Sequence, residues 1–238
     1  GFFSRIKSAG REMLSAPMHL HIKNNNQTVD LKAGDFRFIS KKENIVKWQS
    51  LLRERISEDI LNIKIKAQME YDGHTEFFIE LDPEKPVELD FLKLVIPLKQ
   101  EIPVLYLCCF GIPDPGKGTI PSYGVLPCKQ GTVFSSKVWY EYAGKDGNYQ
   151  NTGVFDKHRA VEVKKGRIQV EKRWKPTVGS FMPSIWIGND SRGLSFMADN
   201  DKGWVPSDKH PAVTLEKEGK TVNWVFNFIP EKHTIKKA

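Results

Sequence analysis

Hydrophobic and polar residues alternate along much of the chain, a pattern that predicts β-strands. In the clearest run, from Asn62 to Tyr71, every second residue is apolar. Asp72-Gly73 follows it directly, a dipeptide typical of a tight hairpin turn, and we expect Phe77–Leu81 to return beside the first strand. The same period recurs from Val222 to Phe228. These runs predict antiparallel β structure.

Other segments add strands and interruptions. The alternation that begins at Val87 changes face after Phe91, so we expect a bulge near that residue. Val104–Phe110 is continuously apolar and is predicted to be a central strand. Residues 111–132 contain five glycines and four prolines, which predicts a long loop, and a second loop is expected at residues 144–152.

Residues 48–60 fit two interpretations. Trp48, Leu52 and Ile56 have roughly helical spacing, but they also fit a strand followed by a loop. The many short strands and turn signals predict an all-β fold, an antiparallel two-sheet β-sandwich or its larger supersandwich form, with long loops and little helix. Because no linker divides the sequence, residues 1–238 are predicted to form a single domain.

Composition narrows the possible partners. The chain of 238 residues is 39% hydrophobic and 27% charged, with a formal net charge of +7. Its lysines occur as scattered pairs without a basic block or a nucleic-acid-binding motif, so no nucleic-acid partner is expected. No apolar run approaches the ~20 residues of a membrane-spanning helix, so no membrane insertion is expected either.

Signals for metal, cofactor and thiol chemistry are weak. His19 and His21 share one face of a predicted strand, but without an obvious third ligand they are interpreted as partly exposed strand residues. Neither a CxxC motif nor a glycine-rich nucleotide loop is present, so no metal and no cofactor are predicted. Cys108, Cys109 and Cys128 are expected to be buried thiols, with a disulfide to Cys128 as the alternative.

Acidic residues also have adequate structural roles. Asp72 supplies the turn geometry of its hairpin, which leaves little reason to pair it with Glu70 for catalysis. Asp199 and Asp201 resemble part of a calcium loop, but Lys209 occupies the position where that loop needs glutamate. No catalytic residue is therefore assigned.

The segment Trp186–Trp204 carries the candidate site. Turn chemistry explains most of its Gly, Asn and Asp residues, as a strand ending at Gly188, a turn and a returning strand at Leu194–Ala198. Its tryptophans could lie in the core or stack against a sugar ring. The candidate carbohydrate-binding residues are Trp186, Asp190, Arg192, Asp199 and Trp204.

Four segments of the chain carry a family resemblance. Phe181–Trp204, Met69–Pro83, Leu92–Glu101 and the last strand near Val222 resemble the N-terminal β-sandwich of glycoside hydrolase family 123 and its uncharacterised bacterial relatives. The resemblance covers roughly residues 1 to 230. Two departures are that Asp199 stands where relatives usually carry Glu, and that the GIPDPGKG segment has no counterpart.

The resemblance implies an accessory role. In that family an Asp–Glu pair on a TIM-type barrel, which follows the sandwich, hydrolyses β-linked N-acetylgalactosamine with help from the substrate's acetamido group. Such a barrel needs ~250 residues, far more than follow Trp204, so its catalytic pair has no counterpart here. The expected partner is that C-terminal barrel, with glycans as a further partner, and the relatives imply a periplasmic or cell-surface protein of a Gram-negative bacterium.

Two other functions stay open. The chain could be a free-standing carbohydrate-binding module, which its six tryptophans favour. It could also be a small hydrolase that uses Asp190, Asp199 or Asp201. An accessory domain separated from its barrel is expected to expose an apolar surface on one side of the sandwich.

Overall fold

The computed structural model describes most of the two ends of the chain and short parts of its middle. The described residues are 1–25, 27–31, 34–56, 59–108, 112–114, 118–120, 123–136, 161–164, 167–170, 184–200, 202–205, 207 and 209–237. Their regular structure is nearly all β, which confirms the predicted antiparallel β-sandwich class. The single domain over residues 1–238 stays a prediction.

Twenty-two strands lie in the described residues. Those of the first half are β1 (Lys7–Ser8), β2 (Arg11–Glu12), β3 (His19–Asn24), β4 (Gln27–Leu31), β5 (Asp35–Lys41), β6 (Ile45–Ile56), β7 (Asp59–Glu70), β8 (Thr75–Pro83), β9 (Val87–Leu89), β10 (Phe91–Lys99) and β11 (Leu105–Cys108). Those of the second half are β12 (Ile112–Asp114), β13 (Gly118–Ile120), β14 (Tyr123–Val125), β15 (Gly131–Ser135), β16 (Val161–Lys164), β17 (Arg167–Val170), β18 (Ser184–Gly188), β19 (Gly193–Met197), β20 (Val213–Glu218), β21 (Thr221–Ile229) and β22 (His233–Ile235).

Three antiparallel sheets contain most of these strands. Sheet I has six strands in the order β15-β20-β21-β10-β3-β4. Sheet II has the order β14-β11-β18-β19, and sheet III has the order β5-β6-β7-β8. The remaining strands form the pairs β1-β2, β12-β13, β16-β17 and β9-β22.

Side chains of all three sheets join one hydrophobic core. The inner face of sheet II packs on sheet I through aromatic rings. The centroid of Phe196 lies 4.2 Å from that of Phe226 and 6.5 Å from that of Trp224. Ile63 and Ile65 of sheet III are fully buried in the same core. The three sheets thus share one interior, and the central strands of sheet I are buried on both faces.

Residues 48–56 lie in the twelve-residue strand β6 and residues 59–60 begin strand β7, so the helical alternative is wrong. The strand of the other interpretation is confirmed, whereas residues 57–58 lie outside the described residues. Trp48, Ser50 and Leu52 are buried at every second position. Ser50 obscured this period in the sequence, because a polar residue occupies an inward position. Its hydroxyl is buried and has no hydrogen-bond partner among the described residues.

The predicted long loop at residues 111–132 is also wrong in part. It contains the β12-β13 pair, the edge strand β14 of sheet II and the first residues of β15. Glycine and proline break regular structure, but strands of three residues fit between them when a neighbouring strand supplies the hydrogen bonds. The second predicted loop, at residues 144–152, lies outside the described residues.

Several local predictions are confirmed. Asp72-Gly73 joins β7 to β8, with Gly73 at φ +90° and the Asp72 carboxylate accepting a hydrogen bond from the His74 backbone N–H at 2.9 Å. The pairing of β10 with β21 shifts register between Leu92 and Lys93, which is the bulge expected near Phe91. Strand β11 lies inside sheet II, between β14 and β18, as predicted for the apolar run.

Two further points concern the thiols and the membrane. Cys108 is buried as expected, whereas Cys128 is exposed, so the prediction of buried thiols is wrong for Cys128. Cys109 lies outside the described residues. Within the part of the chain that the structure describes, no helix has the length and hydrophobicity to cross a bilayer.

Candidate functional site

Asn189 builds the turn between β18 and β19. Its side-chain oxygen accepts hydrogen bonds from the backbone N–H groups of Ser191 at 3.0 Å and Arg192 at 3.1 Å. Its side-chain amide donates to the backbone oxygen of Glu101 at 2.8 Å, which ties the turn to the segment before β11. This geometry confirms the turn predicted after Gly188.

Trp186 and Trp204 lie on opposite sides of sheet II. Strand residues alternate between the two faces, and the inward positions of β18 are Ile185 and Ile187, both fully buried. Trp186 therefore points outward and is partly exposed. Trp204 is buried, with its ring centroid 4.8 Å from that of Phe228 in sheet I. The two tryptophans do not enclose a common site.

The indole of Trp186 lies flat on the sheet, above the paired glycines Gly188 and Gly193. A Cβ atom added to Gly193 would lie 2.4 Å from Cε2 of Trp186 and 2.5 Å from both Cζ2 and Nε1. A point at that distance from three adjacent ring atoms must lie beneath the face of the ring. One added at Gly188 would lie 2.4 Å from Cζ2. Only glycine leaves room for the indole in this position.

We use the term outer face of sheet II for the outward residues that the strand pairing aligns. They are Leu105, Leu107, Tyr123, Val125, Ser184, Trp186, Gly188, Gly193, Ser195 and Met197. None of them is charged. Four are large apolar or aromatic side chains with high exposure: Leu107 at 49%, Tyr123 at 66%, Val125 at 70% and Met197 at 76%. The outer face is therefore an uncharged, largely apolar surface.

The polar candidates occupy the two ends of the β18-β19 hairpin. Asp190 is exposed in the turn, whereas Asp199 is exposed beyond the far end of β19. The five residues of β19 span about 17 Å at about 3.4 Å per residue, so the hairpin holds these two carboxylates far apart. Arg192 is partly buried, and its Nε has no hydrogen-bond partner among the described residues. Asp201 lies outside those residues.

His19 and His21 meet a carboxylate that the sequence did not reveal. Strand β4 places Asp30 opposite His21, whose Nδ1 is hydrogen-bonded to the Asp30 carboxylate. The same carboxylate lies 3.8 Å from Nε2 of His19. Both histidines are partly exposed, as predicted. In the described part of the chain, no group of three or more His, Cys, Asp or Glu side chains has a geometry that could hold a metal ion.

The surroundings shift the pKa values of several titratable groups. Burial raises the pKa of the Tyr106 phenol on the inner face of sheet II, and the nearby charge of Cys108 adds to the effect. A hydrogen bond from Arg5 lowers the pKa of Glu12, and a hydrogen bond to Glu88 raises that of Lys232. None of these groups belongs to the outer face of sheet II.

Residues 2–119 match the family model of glycoside hydrolase 123, third domain. This match confirms the resemblance to that family, and it includes the Met69–Pro83 and Leu92–Glu101 segments. The Phe181–Trp204 segment lies beyond the match. No curated protein and no solved structure matches the chain. The order of this domain relative to a catalytic barrel stays a prediction.

The exposed residues of the outer face were largely missed from the sequence. The glycoside hydrolase 123 match contains Leu105 and Leu107 but ends before Tyr123. Tyr123 and Val125 were assigned to the predicted loop. Their spacing of two is the strand signal that was available, but only the pairing with β11 shows which face they occupy.

Proposed function

We propose that the chain is a non-catalytic accessory domain of a glycoside hydrolase-like protein, which supports a C-terminal catalytic barrel and contributes contacts to the glycan. The observation that carries the proposal is the match of residues 2–119 to the third domain of glycoside hydrolase 123. From the same resemblance, we propose a periplasmic or cell-surface location in a Gram-negative bacterium.

The outer face of sheet II supports this role. An accessory domain needs a surface for its catalytic partner or for the substrate, and an isolated domain shows that surface as exposed apolar side chains. Leu107, Tyr123 and Val125 form such a surface on one side of the sandwich. The fully buried Ile185 and Ile187 lie on the other side of the same sheet, so these exposed residues are not its core.

The arrangement of the aspartates argues against a small hydrolase. The two carboxylates of a glycosidase lie about 5 to 9.5 Å apart, because they must act on the two sides of one glycosidic bond. Asp190 and Asp199 lie at opposite ends of the hairpin, separated by the length of β19. At that separation the two carboxylates cannot flank one glycosidic bond.

A turnover assay tests the accessory role. The chain is incubated with 4-nitrophenyl N-acetyl-β-galactosaminide and the corresponding β-glucosaminide, and release of nitrophenol is measured. We expect no release above that of a boiled control. Release that Asp199→Asn abolishes would overturn the proposal in favour of the small hydrolase. The reading frame that contains the chain is expected to encode a barrel, and a frame without one would exclude the supporting role.

A further inference from the structure

The outer face of sheet II has the features of a ligand surface. We propose that it binds an extended, uncharged glycan, with one pyranose ring stacked on Trp186 and another on Tyr123. The choice of a glycan as the ligand rests on the proposed function. The position of the binding surface rests on the geometry of sheet II alone.

Trp186 provides the first stacking position. The glycine pair beneath one face of the indole leaves room for the ring to lie on the sheet, and Trp186 is partly exposed. A flat aromatic ring can stack on the apolar C–H face of a pyranose. Because the indole is already held in this orientation, little side-chain entropy is lost when a ring binds.

Tyr123 provides the second position, in the same row. The strand pairing aligns Tyr123 with Leu107, and Leu107 with Trp186. Their backbone positions are therefore two strand spacings apart, about 9.6 Å. The Trp186 indole lies further from Tyr123 than this, because it lies above Gly188 and Gly193. A glycan that contacts both aromatic rings must therefore be an extended chain, and its middle part would pass over Leu107, which is 49% exposed.

The charge of the face selects the kind of glycan. The chain has a net charge of +7 and is 27% charged, yet no residue of the outer face of sheet II carries a charge. A nucleic acid or an acidic polysaccharide would require basic side chains here. An uncharged glycan requires only aromatic rings and hydroxyl partners, and Ser195 lies directly across from Trp186 on the neighbouring strand.

Binding is tested with two defined probes, cellohexaose and chitohexaose, by isothermal titration calorimetry and by tryptophan fluorescence. We expect saturable binding of at least one probe. Tyr123→Ala and Gly193→Ala should each weaken it by about tenfold or more. Gly193→Ala retains the tryptophan and displaces only its indole, because the three atoms nearest to the new methyl group all belong to Trp186.

Tyr71→Ala is the matched control. Tyr71 is 84% exposed but lies at the hairpin that joins β7 to β8, outside sheet II. Its replacement should leave binding unchanged, and circular dichroism spectra should show that all three variants are folded. A similar loss in Tyr71→Ala would contradict a specific site on sheet II.

Two other results would overturn the inference. The first is no saturable binding of either hexasaccharide, or binding that neither Tyr123→Ala nor Gly193→Ala changes. The second is a dimer in sedimentation velocity that Leu107→Lys dissociates, which would assign the face to a second copy of the chain. Both results leave the accessory role intact, because that role is tested by turnover and by the reading frame.

Discussion

Sheets II and III bury similar inner faces, but only the outer face of sheet III carries charged residues. On the central strands of sheet III, the outward positions include Lys47, Lys64 and Lys66. Glu80 lies opposite Lys64 on this face, whereas the exposed Phe78 lies opposite Lys66. On the outer face of sheet II no charged residue is present, and Tyr123 and Val125 are more than half exposed.

The difference between the two outer faces lies in their charge. A sheet needs only one apolar side to join a core, and its other side is normally polar when water covers it. Sheet III follows this rule at its lysine positions, although Leu51 and Phe78 also expose apolar side chains on the same face. Sheet II departs from it in a chain with 36 Lys and Arg residues, where charged side chains were readily available. We propose that the departure reflects contact with a ligand or partner.

The largest effect is expected on the inner faces, where the two sheets should behave alike. Ile63→Ala in sheet III and Ile187→Ala in sheet II remove fully buried side chains of the same type. Each should lower the free energy of unfolding by about 2 to 5 kcal/mol, measured by urea denaturation. Ser195→Ala on the outer face is the control. A loss below about 1 kcal/mol for Ile187→Ala alone would show that sheet II is loosely attached.

A smaller loss is expected at the glycines beneath Trp186, a feature that the strands of sheet III lack. A methyl group at Gly188 would meet the backbone oxygen of Arg192 at 2.5 Å, besides the indole. Gly188→Ala should therefore destabilise the chain by about 1 to 3 kcal/mol. Gly193→Ala should cost less, because only a side chain must move. If Gly188→Ala and Gly193→Ala lower the free energy of unfolding equally in urea denaturation, the flat position of the indole is contradicted.

Placing a lysine on the outer face of sheet II and a leucine on that of sheet III should change the exposed apolar surface of each, with little effect on the free energy of unfolding. Leu107→Lys in sheet II and Lys66→Leu in sheet III both alter exposed positions on inner strands of their sheets. Each should change the free energy of unfolding by no more than about 0.5 kcal/mol. Fluorescence of a dye that binds exposed apolar surface should fall in the first variant and rise in the second. A large destabilisation by Leu107→Lys would show that the outer face is covered in solution.

The smallest effect concerns Tyr106, which adjoins Leu107 but points inward. Its pKa is raised above 10 in the folded chain, so the uncharged phenol is favoured by folding. This contribution to stability is complete below pH 10, the unfolded value, and is lost as the pH rises through the folded pKa. In urea denaturation between pH 8 and 11, the free energy of unfolding should fall less for Tyr106→Phe than for the unsubstituted chain. If it falls equally in both, the assignment to Tyr106 is refuted.

The sequence predicted the features that depend on neighbouring residues. The Asp72-Gly73 hairpin and the turn after Gly188 are specified by residues within a few positions of each other, and the structure has both. Strand β6 was left ambiguous because Ser50 occupies an inward position that its polarity does not suggest. Strand β14 was missed because three residues between glycines and prolines become a strand only when β11 pairs with them.

The candidate site illustrates the same limit. Trp186 and Trp204 are the same type of residue and are close in sequence. Trp186 nevertheless lies on the outer face of sheet II, whereas Trp204 lies in the core. The sequence by itself determined the β class, the main hairpins and the family resemblance, because alternation, turn residues and motifs are local properties. Only the tertiary structure decided which residues share a face. It aligned Tyr123, Leu107 and Trp186 in one row, since strand register depends on hydrogen bonds between segments that are distant in the chain.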